Sequence, residues 1–264
     1  MRDKIADFLQ NKKILILGLG REGRSTLDFI KRSVPCADVT VADGDPNMAH
    51  EYLCSGAFSE TLGCPAVFGP SYLEGLQDYD VIIKSPGIAL KDSVGPDIKA
   101  RITSQTDLFL RFRTCRVIGV TGTKGKSTTS SLIYHILSHL GVKSCLVGNI
   151  GVPVLSQLEH IDAHTVAVYE LSCHQLEYVR ASADIAVLLN IYSDHLDHYG
   201  SFEDYRRAKY NIFAYQGPED TLIVSGDCEN IDLDMIDALP MRKIYLDSDR
   251  GLSHVIFADD HIEL

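Results

Sequence analysis

Short runs of apolar residues alternate along this chain with longer segments whose apolar positions recur every three or four residues. The runs are KILILG (13–18), DVTVAD (38–43), DVIIKS (80–85), RVIGV (116–120), TVAVYE (165–170), IAVLLNI (185–191) and TLIVSG (221–226). They are rich in β-branched side chains and apolar on both faces. Separated by helix-length segments, they predict strands of parallel sheets with helices on both sides. After residue 125, Leu132, Ile133, Ile136, Leu137 and Leu140 recur at helical spacing and predict one apolar helix face. The helical SQTDLFLRFRT (104–114) is followed by a new strand near Cys115. That junction sets the expected domains, residues 1–113 and 114–264. No internal repeat or low-complexity linker interrupts the pattern.

Each expected domain has its own glycine-rich strand-to-helix turn. In the first, Gly18-x-Gly20-x-x-Gly23 follows a strand and opens an amphipathic helix, and Asp43 ends the next strand. This is the setting of a Rossmann-like dinucleotide fingerprint: glycines let the backbone approach a diphosphate, and the carboxylate accepts ribose hydroxyls. On these residues alone the first reading is a nicotinamide or flavin site, hence an NAD-binding oxidoreductase. A tight turn with no ligand is the alternative. A further turn, Ser85-Pro86-Gly87, ends the third strand on the same carboxyl edge, where open α/β sheets bind ligands.

The second turn, GVTGTKGKST (119–128), resembles a phosphate loop of the P-loop type with one glycine displaced. The general pattern needs glycine at position 120, where the chain has Val120, with Gly119 beside it. Gly122 and Gly125 allow backbone amides to converge on phosphate oxygens. Lys126 supplies a point charge for the terminal phosphates, and Ser127 a hydroxyl for Mg²⁺. A Ser/Thr-rich helix cap would explain Thr128 and Thr129 but not Gly-Lys-Ser at such a junction.

Glu170 ends the following strand, where a magnesium ligand or a simple capping carboxylate would both fit. Further on, Asp194, His195, Asp197 and His198 fall within five residues, and Lys209 follows on an expected helix. Without a cysteine or a third histidine at ligand spacing, oxygen-rich Mg²⁺ chemistry with one imidazole suits this cluster better than zinc.

Composition narrows the possibilities. A net charge of −11 over 264 residues argues against general affinity for nucleic acid or anionic membranes. The seven cysteines form no Cys-x-x-Cys pair and are odd in number, which fits reduced thiols. No secretory signal and no run of roughly 18 apolar residues is present, so a cytoplasmic location is expected. A non-catalytic nucleotide-binding module is a third reading of the two turns.

Taken together, these motifs resemble the Mur ligases, ATP-dependent amide-forming enzymes of peptidoglycan precursor synthesis. Their phosphate loop, Gly-x-Thr-Gly-Thr-x-Gly-Lys-Ser/Thr, is matched by GVTGTKGKS (119–127) at every defined position. GLGREG with SPGIAL, GNIGVP (148–153), ELSCHQLE (170–177) and DHLDHYGSFEDYRRAK (194–209) most resemble the member that adds D-glutamate to UDP-N-acetylmuramoyl-L-alanine. Ser-Cys-His in place of the commoner Ser-Ser-Phe leans towards the sister ligase that adds the third residue. That sister has a different N-terminal domain, and the Rossmann-like start favours the D-glutamate-adding member.

The resemblance implies a UDP-substrate-binding first domain, with Gly20, Arg21, Glu22, Asp43, Ser85, Pro86 and Gly87 around the uridine diphosphate and Asn149 near the substrate. It implies a central ATP-binding domain in which Gly122, Thr123, Lys124, Gly125, Lys126, Ser127 and Thr128 hold ATP. Ser127 and Glu170 would serve one Mg²⁺, and Glu170, His195 and a carbamylated Lys209 a second. Lys126, Glu170, His195 and Lys209 would carry the catalysis, through an acyl phosphate. The chain stops before the family's Leu-x-Gly-x-His-Asn segment. The expectation is therefore a monomeric fragment lacking the C-terminal domain that positions D-glutamate, and without full activity.

Overall fold

A computed structural model describes residues 1–49, 64–90, 94–246, 256–258 and 261–263. These divide into two compact units, Met1–Thr114 with Val152–Asp162, and Cys115–Gly151 with Ala163–Leu264.

In the first unit β1 (Lys13–Leu17), β2 (Asp38–Asp43), β3 (Ala66–Phe68), β4 (Val81–Lys84) and β5 (Ile102–Thr103) form a parallel sheet in the order β3-β2-β1-β4-β5. Ile14, Leu15, Ile16 and Leu17 are all buried. This explains why β1 reads as an unbroken apolar run: as the central strand it is covered on both faces. Helices α1 (Arg2–Leu9), α2 (Arg21–Ser33), α3 (Pro96–Arg101) and α4 (Gln105–Phe112) belong to the same unit. Helix α2 buries Leu27, Phe29 and Ile30 and ends at Val34, just before Pro35, which cannot continue a helix. Strand order reverses between β1 and β4, so the turns after these two strands flank the crevice where such sheets bind ligands.

The second unit holds β6 (Arg116–Thr121), β7 (Ser144–Gly148), β8 (Val166–Glu170), β9 (Ile185–Leu188), β10 (Thr221–Ser225) and β11 (Arg242–Leu246). They pair in parallel in the order β11-β10-β9-β6-β8-β7. The unit's helices are α5 (Lys126–His139), α6 (Cys173–Leu176), α7 (Leu196–Tyr199), α8 (Phe202–Tyr210) and α9 (Leu233–Asp237). A separate antiparallel ribbon joins β12 (Ile256–Ala258) to β13 (His261–Glu263). Among the described residues no helix is long and apolar enough to cross a membrane.

The expected α/β class with parallel sheets is what the structure has. All seven expected strands are present among the described residues, and β3, β5, β7, β11 and the β12–β13 ribbon are additions. Two details differ from the sequence-based expectation. Val152–Asp162 lies with the first unit rather than the second. Its Val154, Leu155, Leu158 and Ile161 are buried, and Leu155 N donates to Gln105 Oε1 at 2.7 Å. The apolar face expected for α5 is mostly outward, with Leu132, Ile136 and Leu140 exposed. The helix packs instead through buried Ser130 and half-buried Ile133 and Leu137, one row at helical spacing whose small Ser130 permits close approach to the sheet.

Candidate functional site

At the carboxyl edge of the first sheet, Gly18, Gly20, Arg21, Glu22, Asp43, Ser85, Pro86, Gly87 and Ile88 line a cavity of about 350 Å³. The two turns are tied together, since Ser85 Oγ donates to Gly18 O at 2.7 Å and Ser85 N to Leu17 O at 2.8 Å. Asp43 also braces the glycine turn: its Oδ2 accepts from Leu19 N at 2.7 Å and its Oδ1 from Asp45 N at 2.9 Å. The sequence predicts only ribose hydroxyls for this carboxylate, and the structure adds a framework role. Arg21 and Gly87 are exposed, and Glu22, Ser85 and Pro86 half-buried, which leaves the cavity open to a ligand. Asn149 does not line it. Asn149 belongs to the second unit, where its Nδ2 donates to Glu170 Oε1 at 2.8 Å.

The second site begins where β6 gives way to the phosphate loop. Gly119 lies within the strand, where a Cβ would stand 2.9 Å from that of Ala183. The displaced glycine of the sequence motif therefore serves strand packing, while the loop turns at Gly125, the N-cap of α5, with φ +84°. A side chain rarely adopts that conformation, so glycine is required there. Thr123 N donates to Asn190 O at 2.9 Å and to Asn190 Oδ1 at 3.1 Å. Lys124 N donates to the same Oδ1 at 2.9 Å, and Asn190 Nδ2 to Lys124 O at 3.1 Å. Thr123 Oγ1 lies 2.8 Å from Tyr205 Oη. Lys124, Ser127 and Thr128 are exposed around the N-terminus of α5, whose first amides have no intrahelical acceptor. Lys126 is half-buried, and its Nζ donates to Gly122 O at 3.0 Å and Thr123 O at 2.9 Å.

Glu170 ends β8 in register with Val120 of β6, at the root of this loop. It is fully buried; Asn149 satisfies one carboxylate oxygen, and among the described residues Oε2 has no hydrogen-bond partner. An orphaned buried carboxylate oxygen costs about 1–3 kcal/mol unless something compensates. A divalent cation with oxygen ligands fits that need, and Ser127 and Glu170 are chemically suited to hold one.

Lys209, on α8, is also buried, at 1% exposure, and its Nζ donates to Gly122 O at 2.8 Å. Burial lowers its pKa from 10.5 to about 8; Cys173 and Asp194 oppose this and Lys126 adds to it. Tyr205 stands between Lys209 Nζ, 4.9 Å from the ring centre, and the His195 ring at 6.3 Å. Burial raises the Tyr205 phenol to about 12, against the lowering effect of its hydrogen bond to Thr123.

His195 has φ +52°, uncommon outside glycine, and its amide donates to Asp194 Oδ1 at 2.9 Å. No hydrogen bond or ion pair joins it to Glu170 or Lys209 among the described residues. Its neighbours are Cys173 and His174, whose ligand atoms and that of His195 all lie within 4.8 Å of one another. In the sequence neither a cysteine nor a third histidine stands at ligand spacing; both arrive through the fold, since α6 follows directly on Glu170. Asn190 is likewise unmarked in the sequence, a single polar residue within the apolar run IAVLLNI (185–191).

Residues 120–245 match the Mur ligase middle domain. The UDP-N-acetylmuramoylalanine--D-glutamate ligase of Clostridium kluyveri is 34% identical over 233 residues, 86% of this chain and 49% of that protein. The enzyme of the same name from Acetivibrio thermocellus is 34% identical over 238 residues, again 86% and 49%. This chain thus spans about half the length of the curated relatives it matches. Among solved structures, UDP-N-acetylmuramate:L-alanyl-gamma-D-glutamyl-meso-diaminopimelate ligase from Neisseria meningitides aligns with a TM-score of 0.53 at 19% identity. That alignment covers 89% of this chain and 77% of the other, and supports the shared fold. With the phosphate loop at the root of its second sheet and the matched segment spanning most of that unit, the chain carries a Mur ligase middle domain.

Proposed function

We propose that the chain is the substrate- and ATP-binding part of a ligase that joins D-glutamate to UDP-N-acetylmuramoyl-L-alanine in the cytoplasm. The observation that carries this reading is Glu170, a buried carboxylate at the root of a phosphate loop with one oxygen that has no partner among the described residues. An oxidoreductase has no use for such a group, nor for Lys126 and a buried lysine beside it. The relatives named as D-glutamate ligases support the choice within the family.

In this reading the 350 Å³ cavity takes the uridine diphosphate, with Arg21 available to the diphosphate charge. Gly122, Thr123, Lys124, Gly125, Lys126, Ser127 and Thr128 hold the ATP phosphates. The L-alanine carboxylate attacks the γ-phosphorus, giving an acyl phosphate and ADP; the D-glutamate amine then attacks the acyl carbon and phosphate leaves. Two anions meet in the first step, so charge neutralisation dominates the catalytic demand. Lys126 leaves its loop carbonyls for the phosphates. Divalent ions at Ser127 and Glu170, and at Glu170, His195 and Lys209, would supply the remaining positive charge when bound.

A depressed pKa makes Lys209 a better nucleophile towards CO₂ near neutral pH, since the free amine is the reacting form. Addition of the amine nitrogen to the carbon of CO₂, with loss of one proton, gives a carbamate whose oxygens can meet a cation. In this reading a monomer suffices for both sites.

Calorimetric titration tests the reading. UDP-N-acetylmuramoyl-L-alanine should bind with one site per chain and NAD should show no heat of binding. Binding of NAD without the UDP sugar would favour the oxidoreductase reading instead.

A further inference from the structure

The Cys173–His174–His195 cluster has no part in the proposed magnesium chemistry except through His195. Cys173 is 2% exposed, His174 half-buried and His195 exposed, so the group runs from the core to the surface. Cys173 Sγ lies 3.8 Å from His174 Nδ1, and the His174 and His195 rings meet edge to face with centroids 4.8 Å apart. A tetrahedral zinc ion with bonds of about 2.3 Å to sulfur and 2.0 Å to nitrogen would set its ligand atoms roughly 3.3–3.6 Å apart. The present spacings need to close by at most about 1.5 Å to reach that geometry, a movement within reach of an exposed histidine side chain.

The surroundings hold the set in place. His174 is packed against the rings of His198, at 4.4 Å, and Tyr199, at 5.6 Å. Ser172 caps α6 through a reciprocal pair of bonds with Gln175, which fixes the start of the helix carrying both Cys173 and His174. Thiolate and imidazole select zinc-like ions, whereas Mg²⁺ prefers carboxylate, carbonyl and water oxygens.

We infer that Cys173, His174 and His195 form a site for one thiophilic divalent cation of the Zn²⁺ type, with a fourth position open to solvent. Binding exchanges the thiol proton for the metal: the S–H bond breaks, a sulfur–metal bond forms, and one proton is released per ion. Because His195 is also a ligand in the proposed magnesium arrangement, the thiophilic ion withdraws it from that role. The site would therefore make nucleotide chemistry sensitive to zinc. The zinc sensitivity rests on the proposed function, whereas the site itself rests on geometry alone and its readout needs no ATP or UDP sugar.

The test titrates the purified, reduced chain with Co²⁺ in the presence of excess Mg²⁺. A near-ultraviolet thiolate-to-cobalt charge-transfer band should saturate at one ion per chain, with about one proton released, and Zn²⁺ should displace it. Cys173→Ser should remove the band while Cys36→Ser, at an exposed cysteine, retains it. His174→Ala should weaken Co²⁺ binding by at least about 10-fold, since even outer-shell changes cost 10–100-fold. That variant tests the site independently if the buried serine substitution unfolds the chain. No band at any Co²⁺ concentration, or a band unchanged in Cys173→Ser and His174→Ala, would overturn the inference and leave an aromatic packing cluster.

Discussion

Replacing Lys209 by methionine keeps much of the side chain's length and removes its charge, so the variant isolates the electrostatic cost of burying this amine. In the folded chain the pKa is lowered from 10.5 to about 8, chiefly by burial. Between those values the unfolded chain holds a proton that the folded chain has released. Stability therefore rises with pH across this window, and the penalty is fully present below the folded pKa. At about 1.4 kcal/mol per unit the full difference is about 3 kcal/mol, of which roughly 2–3 kcal/mol falls between about pH 7 and pH 10. Loss of the hydrogen bond to Gly122 O costs the variant about 1 kcal/mol. To first order that cost is the same at both pH values and drops out of the comparison.

The assay is urea unfolding of both proteins at the two pH values in CO₂-depleted buffer. Where the two units unfold in separate steps, the transition of the second is fitted alone. Relative to the parent chain, Lys209→Met should be more stable at about pH 7 than at about pH 10 by roughly 2–3 kcal/mol. A stability difference that stays constant within about 0.5 kcal/mol between the two pH values would refute a buried amine of lowered pKa.

Other expectations follow from single contacts. Lys126→Ala should weaken ADP binding by about 10- to 100-fold by calorimetry, the worth of one charge-assisted contact of about 1.5–3 kcal/mol; unchanged affinity would remove Lys126 from the phosphate site. Asn190→Ala deletes the side-chain bonds to Thr123 and Lys124, and should lower stability by about 1–3 kcal/mol and weaken ADP binding. An unchanged melting temperature would show that the loop keeps its form without it. In Gly23→Ala the added Cβ would stand 1.9 Å from Gly18 O, a backbone atom that cannot swing aside. Helix α2 must shift away from β1, so stability should fall by about 1–3 kcal/mol or more, and UDP-sugar binding should be lost in the same titration.

The strands were legible because central strands of parallel sheets are apolar on both faces, as β1, β6 and β8 are. The edge strands were not. β7 (SCLVG) and β3 (AVF) are short and only partly buried, so their sequences carry little periodic signal. Helix α5 misled for a related reason. Its run of Leu and Ile spans more of the helix surface than the sheet covers, and the small Ser130, which reads as polar, marks the true contact row. The phosphate loop was recognisable from its residues, yet the reason for its odd spacing was hidden. Only the three-dimensional contact of Gly119 with Ala183 assigns that glycine to packing rather than to phosphate. The cluster around His195 was half visible: Asp194, His195, Asp197 and His198 are adjacent in sequence. Cys173 and His174 arrive from another loop, and no one-dimensional spacing could join them.

Everything proposed for the phosphate site turns on a cation that completes Glu170. The decisive titration adds Mn²⁺ to the chain with a non-hydrolysable ATP analogue present and follows the free ion by electron paramagnetic resonance. The parent chain should remove Mn²⁺ from solution only weakly without nucleotide and strongly with it. Glu170→Gln, which keeps the shape and the contact with Asn149 but not the charge, should lose the strong uptake while remaining folded. Equal Mn²⁺ uptake by the parent chain and Glu170→Gln would rule out a cation held by this carboxylate.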